Sequence, residues 1–343
     1  MTVTLFAFTA AGRLLKDRLA GLLENRGHRI LAEPPEVSLA ERAGEAFRSG
    51  DALVFIGAAG IAVRAIAPFL RSKAEDPAVA VIDEKGRWAV SLLSGHLGGA
   101  NALAMEIAEL LGAQPVITTA TDINGVFAAD LWAKANGLVI GGMEEARDIS
   151  MRLLEGEEVL LLSDFPIAGK NPRGIRVIGA GAEEAEEAGI RVSIYRDGGN
   201  SLRLIPRCVY LGVGCRSGVS REAVYHAITE ALSREAIDIR GVAALATIDI
   251  KKEEPALTEI CRQKEWPLLC YTAEELKAAG NGFTSSAFVF SAVGVDNVCE
   301  RAAFLASQSG DMLARKFAAG GVTVAAALGK ISLSFETREN GNE

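Results

Sequence analysis

The sequence predicts an α/β protein with two α/β domains whose sheets are mostly parallel, joined by a small, less regular α/β middle segment. Short apolar runs bounded by turn residues alternate with amphipathic helical patterns through the first and last parts of the chain, which is typical of repeated strand–helix units. The 343 residues are 49% hydrophobic and 23% charged, so the chain has enough apolar side chains for more than one packed core.

The first domain is predicted to span residues 1–139. Its strands are expected at 2–8, 52–56, 79–83, 88–93 and 116–119. Its helices are expected at 12–25, 60–70, 101–111 and 125–135. Because most of these strands are followed by a helical pattern, the sheet should be largely parallel.

The rest of the chain divides into a small variable middle domain at 140–206, a third domain at 207–336 and a polar tail at 337–343. In the middle domain, a strand at 159–162 lies between a glycine-rich stretch at 137–142 and an Ala/Glu/Gly-rich stretch at 179–189. The regular α/β pattern resumes in the third domain. Its strands are expected at 209–214, 243–250, 268–271 and 322–327, and its helices at 221–232, 256–264 and 297–307.

The net charge of -8, from 36 basic and 44 acidic residues, argues against broad nucleic-acid binding, which requires a basic surface. A small anionic ligand would therefore need a local basic pocket. No stretch of 18 apolar residues is present, so no membrane-spanning segment is expected. The first residues lack the basic region of a signal peptide, and a cytoplasmic protein is predicted.

The cysteines predict free thiols. There are five of them, an odd number, and no pair forms a CxxC motif, which argues against a disulfide framework. No cysteine and histidine cluster has the spacing of zinc ligands.

The densest chemical signal is the segment SLLSGHLGGAN at 91–101, where a predicted strand runs into a helix. Asn101 is expected to be the helix N-cap, and backbone N–H groups at such a helix start favour an anion. His96 lies inside this loop and can exchange protons near neutral pH. The alternative is a histidine that only hydrogen-bonds locally. The glycines of the loop permit close backbone approach or positive φ angles; they are Gly95, Gly98 and Gly99.

A second cluster follows the strand at 52–56 and carries cations. Gly60 and Arg64 lie in the predicted helix, and Arg71 and Lys73 follow it. Three cations this close together in an acidic chain indicate recognition of carboxylates, for which arginine supplies bidentate geometry. The alternative is a solvated basic rim.

A third cluster stands at the end of the strand predicted at 116–119. Hydroxyl groups and a carboxylate follow one another there, including Thr119 and Asp122. Two interpretations stay open: these side chains belong to a binding site, or Thr121 or Asp122 caps the helix that follows.

In the third domain, the segment LGVGCRSG at 211–218 joins a strand to a helix. It fails the dinucleotide fingerprint GxGxxG because its third glycine, Gly218, comes one position late. A glycine-rich anion nest with Arg216 directed at the ligand remains open. The sequence contains no Walker A motif and no GxSxG nucleophile elbow.

The chain resembles the cobalt-precorrin-5A hydrolase (CbiG) family of cobalamin biosynthesis over nearly its whole length. The middle segment carries little of this likeness. The resemblance implies an N-terminal α/β domain, a variable middle domain, and a C-terminal α/β domain of a type that also occurs as a stand-alone protein of the pathway. The most specific segments are 57–86, 91–122, 211–224 and 293–307.

The resemblance also implies a reaction of anaerobic cobalamin biosynthesis. Water opens the δ-lactone of cobalt-precorrin-5A, and a two-carbon unit leaves as acetaldehyde, which gives cobalt-precorrin-5B. Cobalt comes with the corrinoid substrate, so no protein cofactor is expected.

The candidate residues fit that substrate. Lactone opening needs an activated water and a stabilised oxyanion. His96 is expected to act as the base, with Asp122 as the next candidate, and backbone N–H groups of residues 98–101 as oxyanion donors. Gly60 and Thr119 are expected to contact the substrate as well. The cations expected to bind the carboxylates of the macrocycle are Arg64, Arg71, Lys73 and Arg216.

Two other functions fit parts of the sequence. A non-catalytic tetrapyrrole carrier of the same pathway would use the same basic pocket without a proton-transfer residue. A nucleotide-dependent oxidoreductase would need the glycine fingerprint that residues 211–218 lack. The expected partner is a small corrinoid molecule, with neighbouring enzymes of the pathway and a second copy of the chain as further candidates; nucleic acid and membrane are not expected.

Overall fold

The computed structural model describes residues 1–31, 37–72, 75–96, 98–179, 181–196 and 199–336. The chain separates into two compact units, Met1–Leu131 and Trp132–Glu343. Two predictions fall outside the described residues, namely the cation Lys73 and the polar tail 337–343. The division into three domains stays a prediction.

The first unit is built on one six-stranded sheet with the order β2-β1-β3-β4-β5-β6. The first four strands of this order are parallel, β5 runs antiparallel to β4, and β6 is parallel to β5. The strands are β1 Thr2–Ala7, β2 Arg29–Leu31, β3 Ala52–Ile56, β4 Ala78–Ile82, β5 Trp88–Leu93 and β6 Gln114–Val116. The helices are α1 Ala10–Asn25, α2 Leu39–Ser49, α3 Ala59–Ile66, α4 Ala100–Leu111, α5 Ala120–Ile123 and the start of α6 Ala129–Ala135.

The central strands of this sheet are buried on both faces, which explains their continuous apolar sequences. Every residue of β3 and β4 is buried. One face packs against α1 and α4 through side chains such as Leu19, Leu23 and Ile107. The other face packs against α2 and α3 through Phe47 and Ile66. The unit is therefore an α/β sandwich of three layers.

The second unit contains two five-stranded sheets and a two-stranded pair. The sheet with the order β10-β8-β11-β12-β7 is parallel except for β7, and helix α7 packs on it. Its elements are β7 Leu138–Ile140, α7 Met143–Leu154, β8 Val159–Ser163, β10 Ile175–Gly179, β11 Ile190–Val192 and β12 Leu202–Pro206.

The other five-stranded sheet has the order β15-β14-β13-β17-β16. Its first three strands are parallel, and β17 is antiparallel to both β13 and β16. The strands are β13 Val209–Cys215, β14 Val242–Ile248, β15 Leu268–Tyr271, β16 Met312–Ala319 and β17 Val322–Leu328. The helices are α8 Arg221–Arg234, α9 Pro255–Lys264, α10 Ala273–Ala278, α11 Ala287–Val293 and α12 Cys299–Ala306.

The last described strand closes the second unit onto its own beginning. Strand β18 Leu333–Ser334 pairs in parallel with β9 Ile167–Ala168. The Ser334 carbonyl accepts a hydrogen bond from Trp132 Nε1 at 2.7 Å, and the Ser334 N–H donates to Asn136 Oδ1 at 2.9 Å. Residues far apart in sequence thereby meet in the middle of α6 and just after its end.

The predicted fold class is confirmed, since helices cover sheets that are mostly parallel. The strands expected at 52–56, 88–93 and 268–271 are β3, β5 and β15. The strand expected at 116–119 was placed too late, because Thr119 is already the N-cap of α5. The helix expected at 125–135 begins only at Ala129 and follows the separate short helix α5. The middle segment is more regular than expected, since residues 140–206 supply most of a five-stranded sheet.

All five cysteines are free thiols, as predicted. Among the described residues, no helix combines the length and the apolar character needed to cross a membrane.

Gly212 in β13 allows helix α12 to pack very close to the sheet. A Cβ atom at Gly212 would overlap the Cys299 carbonyl oxygen and would lie 2.6 Å from the Ala303 nitrogen. These are backbone atoms of α12, which cannot rotate away as a flexible side chain does. The absence of a side chain at this position therefore sets the distance between α12 and the sheet.

We expect Gly212→Ala to lower the free energy of unfolding by about 1–3 kcal/mol, the usual cost of overpacking a well-filled core. The matched control is Gly179→Ala at the end of β10, where an added Cβ meets no atom within 4 Å and should change stability by less than about 0.5 kcal/mol. Chemical denaturation of both variants measures the difference. Equal stability of the two variants would contradict the close approach of α12.

Candidate functional site

The loops that follow β5 and β6 meet at one edge of the first sheet, and they hold most of the predicted site residues. These two strands are adjacent and parallel, so their carboxyl ends lie at the same edge, the usual place for ligand sites in α/β sheets. Residues 94–99 lead from β5 into α4, and residues 117–119 lead from β6 into α5. His96 and Asp122 are brought together in this way.

The loop between β5 and α4, which is described at 94–96 and 98–99 and which we call the histidine loop, has a compact shape there that requires its glycines. Gly99 has a φ angle of 89° and is the N-cap of α4. A Cβ atom at Gly95 would lie 2.5 Å from Asn101 Oδ1, and one at Gly98 would overlap Ser94. These glycines therefore shape the backbone around His96.

Asn101 is not the helix N-cap that the sequence predicted, because Gly99 takes that position. Its side chain is buried and turns toward the segment after β6. Its Nδ2 donates to Asp122 Oδ2 at 2.5 Å and to Thr119 Oγ1 at 3.2 Å. Asn101 thus connects the histidine loop to Thr119 and Asp122, two residues that the sequence also singled out.

His96 is surrounded by oxygen atoms of α5 and α6. Its Nε2 lies 2.9 Å from Asp122 Oδ2 and 3.0 Å from Thr121 Oγ1. Its Nδ1 lies 3.7 Å from Asp130 Oδ1, the separation of an ion pair. The side chain of His96 is 15% exposed, compared with 34% for Asp122. We call His96, Asn101, Thr121, Asp122 and Asp130 the histidine cluster.

The helix-capping alternative for Thr121 and Asp122 is wrong. The N-cap of α5 is Thr119, and this helix has no side-chain cap. The Asp122 carboxylate accepts from His96 and Asn101 instead, and the Thr121 hydroxyl lies against the His96 ring.

The carboxylates of the cluster raise the pKa of His96 above its ordinary value. The interaction with Asp130 is the largest cause and the charge of Asp122 adds to it, while partial burial acts in the opposite direction. Burial also pushes the pKa of Asp130 upward, but the interactions with His96 and with the Leu131 N–H outweigh it, so the pKa of Asp130 is lowered. The cluster therefore favours an imidazolium ion beside an ionised carboxylate.

Three backbone N–H groups at the start of α4 donate to carbonyl groups of the loop itself, and the expectation that residues 98–101 bind an oxyanion stays a prediction. The tight loop folds its own carbonyl groups over the helix start, so these donors stabilise the loop itself. The N–H groups of Gly99, Ala100 and Asn101 donate to the carbonyl oxygens of His96, Ser94 and Gly95 at 3.0–3.1 Å.

Gly60 lies at the other edge of the sheet. It is in the first turn of α3, just after Gly57, whose N–H donates to the carbonyl of Ile82 at the end of β4. The histidine loop instead approaches Ala78, the first residue of β4. Gly60 and the histidine cluster are therefore separated by the length of β4.

Arg64 and Arg71 are exposed side chains of the first unit. Arg64 Nη1 donates to the Gly60 carbonyl at 3.2 Å. Arg71 lies in the segment that leads into β4 and is 71% exposed, and its ion pair with Glu75 is 3.9 Å long. Neither guanidinium makes a short contact with a carboxylate in the described part of the chain, so both can bind an anionic ligand.

Arg216 belongs to the second unit, in the loop between β13 and α8. Its exposed side chain packs along Gly321. The glycine-rich loop beside it is held from within, because the Gly218 N–H donates to Glu254 Oε1 at 2.9 Å. A carboxylate of the protein itself thus binds part of the loop where an external anion was expected.

A cavity of about 500 Å³ in the second unit contains none of the predicted site residues. Its wall includes Lys277, Phe290 and Arg301. Arg301 is nearly buried and pairs with Asp296 at 2.9 Å, and its Nη1 donates to the Gly280 carbonyl at 2.7 Å. In the segment 293–307, which the sequence singled out, these polar residues hold the neighbouring loop in place.

Sequence reasoning missed Thr121 and Asp130 as members of the histidine cluster. Asp130 was missed because 125–135 was interpreted as one helix, in which an acidic residue is ordinarily part of a solvated face; in the structure Asp130 lies in the first turn of α6. For Thr121 the signal was present in the run TTATD at 118–122, but that run also fits helix capping.

Two family models match the chain. The model described as Cobalamin synthesis G N-terminal covers residues 41–122, and the one described as Cobalamin synthesis G C-terminus covers residues 209–327. Four of the five residues of the histidine cluster lie within the first match: His96, Asn101, Thr121 and Asp122.

Curated relatives match over most of their length. A cobalt-precorrin-5A hydrolase from Salmonella typhimurium is 34% identical over 339 residues, covering 94% of this chain and 96% of the relative. A cobalt-precorrin-5A hydrolase from Priestia megaterium is 33% identical over 298 residues, covering 82% of this chain and 79% of the relative. The solved structure of a cobalamin biosynthesis protein G homolog from Sulfolobus solfataricus is 20% identical, covers 96% of this chain and 97% of that one, and has a TM-score of 0.42. Because two separate parts of the chain match the family models and the identity to a relative covered over 96% of its length exceeds 30%, this chain belongs to the cobalt-precorrin-5A hydrolase (CbiG) family.

Proposed function

We propose that this chain is a cobalt-precorrin-5A hydrolase. Water opens the δ-lactone of cobalt-precorrin-5A, and acetaldehyde leaves to give cobalt-precorrin-5B. The names of relatives at 33–34% identity support this activity. The observation on this chain that carries the proposal is the contact between His96 and Asp122, since it unites a proton-exchanging pair inside the part that matches the N-terminal family model.

The histidine cluster suits the chemistry that this reaction requires. Lactone hydrolysis needs one group that takes a proton from water and returns it to the leaving oxygen. The later loss of acetaldehyde needs one base for the freed hydroxyl group, while the macrocycle accepts the electron pair. A carboxylate held by an imidazole at hydrogen-bond distance can supply both exchanges, and groups with perturbed pKa values are typical of catalytic sites.

A non-catalytic tetrapyrrole carrier is the alternative function. A carrier protein needs cations that bind the carboxylates of the ligand, and Arg64 and Arg71 are exposed cations of this kind. It does not need an exposed carboxylate held in place by a histidine, which is an arrangement that serves proton transfer. The structure of the cluster therefore favours the hydrolase over the carrier.

We also propose a cofactor requirement, a ligand and a cellular location for the enzyme. Cobalt enters with the substrate, so the reaction as proposed uses no protein-bound metal or nucleotide. The proposed ligand is a corrinoid whose carboxylates are bound by Arg64 and Arg71 of the first unit, with contacts from Gly60, Thr119 and the histidine loop. Lys73 and Arg216 stay predictions. We further propose a cytoplasmic enzyme that exchanges intermediates with neighbouring enzymes of the pathway and that forms a homodimer.

The first expected outcome concerns the activity itself. The purified chain with cobalt-precorrin-5A under anaerobic conditions should release one acetaldehyde per substrate, without added nucleotide or metal, because the cluster supplies the proton transfers. Derivatisation of the released acetaldehyde with a hydrazine reagent measures it without added nucleotide, and heat-denatured protein is the control. Tight binding of the corrinoid without any acetaldehyde would establish the carrier function instead.

Substitution of Arg64 or Arg71 should weaken substrate binding more than it lowers the turnover rate. Arg64→Ala and Arg71→Ala should each raise the Kd for the substrate by the equivalent of about 1–3 kcal/mol, the value of a hydrogen bond to a charged group. Arg18→Ala, another exposed cation of the first unit, is the matched control and should bind like the parent. Equilibrium dialysis measures the three values. Parental Kd values in all three variants would identify Arg64 and Arg71 as a solvated rim.

Loss of the Asp122 carboxylate should abolish most of the turnover. Asp122→Asn keeps the shape of the side chain but cannot take a proton, so we expect turnover to fall by roughly 10²–10⁴-fold, the contribution of a positioned acid–base group. Asp17→Asn on the exposed side of α1 is the control and should retain the parental rate. Thermal unfolding of both variants checks the fold. Near-parental turnover of Asp122→Asn would remove this carboxylate from the mechanism.

A further inference from the structure

We propose that Asp122, and not His96, exchanges protons with the substrate, and that His96 is a positioning residue held behind it by Asp130. This inference rests on the proposed hydrolase function and assigns the roles within the same site. It reverses the order that the sequence suggested, in which His96 was the base and Asp122 the next candidate.

The two ring nitrogens of His96 both face carboxylates of the protein. Nε2 lies 2.9 Å from Asp122 Oδ2, and Nδ1 lies 3.7 Å from Asp130 Oδ1. An ionised carboxylate only accepts hydrogen bonds, so a nitrogen that faces one is most stable as N–H. A general base needs a bare nitrogen directed at the substrate. Both nitrogens of His96 are directed at carboxylates of the protein instead.

The charges around His96 support the proton-bearing form. The titratable groups that face it within the described residues are Asp122 from α5 and Asp130 from α6, and Thr121 adds a neutral hydroxyl. Their interactions raise the pKa of His96, with Asp130 as the largest cause, and the pKa of Asp130 is lowered. Asp130 therefore stays ionised and stabilises the imidazolium ion from the side away from Asp122.

The two carboxylate oxygens of Asp122 have different surroundings. One oxygen, Oδ2, receives hydrogen bonds from His96 at 2.9 Å and from Asn101 at 2.5 Å. The other oxygen, Oδ1, has no hydrogen-bond donor among the described residues. The Asp122 side chain is 34% exposed and that of His96 only 15%, and the next residue, Ile123, is 66% exposed. Asp122 thus offers one fixed oxygen to the protein and one accessible oxygen, beside an apolar contact, to a bulky substrate.

These roles give a balanced reaction. A water proton passes to Asp122 Oδ1 as the water oxygen bonds to the lactone carbonyl carbon, and the proton returns to the ring oxygen when its bond to that carbon breaks. Asp122 then takes the proton of the freed hydroxyl group, the carbon–carbon bond breaks, and acetaldehyde leaves. The electron pair of that bond and the proton pass to the macrocycle. The N–H of His96 holds the carboxylate in place throughout and is not transferred.

The deciding experiment compares Asp130→Asn with the parent by two readouts. The chain has three histidines, so the NMR titration of His96 is assigned by comparison with His96→Gln, without any substrate. Removal of the Asp130 charge should lower the measured pKa of His96. We expect the midpoint of the pH profile of turnover to be the same in Asp130→Asn as in the parent, because the carboxylate of Asp122 carries the proton. A turnover profile whose midpoint moves together with the NMR value would identify His96 as the proton acceptor and overturn the proposal.

His96→Gln provides a second measurement on the same question. The glutamine amide keeps an N–H donor for Asp122 but cannot carry a proton between groups at neutral pH. We expect turnover within about tenfold of the parent, against the loss of roughly 10²–10⁴-fold expected for Asp122→Asn. Equal losses in the two variants, both folded by thermal unfolding, would assign proton transfer to His96. A parent that releases no acetaldehyde refutes the hydrolase function itself, so the two failures are distinguishable.

Discussion

The reversal of chain direction between β4 and β5 determines the position of the histidine cluster. Because β5 runs antiparallel to β4 but parallel to β6, the loops after β5 and β6 leave the sheet at the same edge. Helix α4 then starts beside the segment that enters α5, and Asn101 reaches Thr119 and Asp122. Because of this one antiparallel pairing, the carboxyl ends of β5 and β6 lie at one edge of the sheet. The carboxyl ends of β1, β2, β3 and β4 lie at the opposite edge.

The cost of this arrangement is concentrated in the histidine loop. Ser94 has a positive φ angle of 55°, which is unfavourable for a residue with a side chain. Its Oγ atom and Asn101 Oδ1 are buried and have no hydrogen-bond partner among the described residues. Strain and unpaired polar atoms persist where surrounding structure enforces them, most often at functional sites. The well-packed strands β3 and β4 next to the loop supply that enforcement.

Sequence patterns were sufficient for the elements and for the principal site residues, but not for their contacts. The apolar runs at 52–56 and 88–93 predicted the bounds of β3 and β5 correctly, because the pattern of apolar residues is a property of the local sequence. His96 and Asp122 were found because glycines and hydroxyl groups surround them. Strand direction depends on distant pairing, so the sequence did not show that Asn101 bridges two loops or that Gly60 lies at the other edge. Asp130 was missed for the same reason, since only the path of the chain between α5 and α6 brings it to His96.

The pairing of β18 with β9 has a consequence for how the protein is made. All strands of the first unit are present once residue 116 has been synthesised, so this unit can fold while the ribosome is still translating the remainder. In the second unit, Trp132 and Asn136 bind Ser334, a separation of about 200 residues in the chain. The first residues of the second unit therefore complete these contacts only after Ser334 has been synthesised. Contacts between residues so far apart in sequence slow folding. A nascent chain stopped before residue 333 would carry a finished first unit and an unclosed second one.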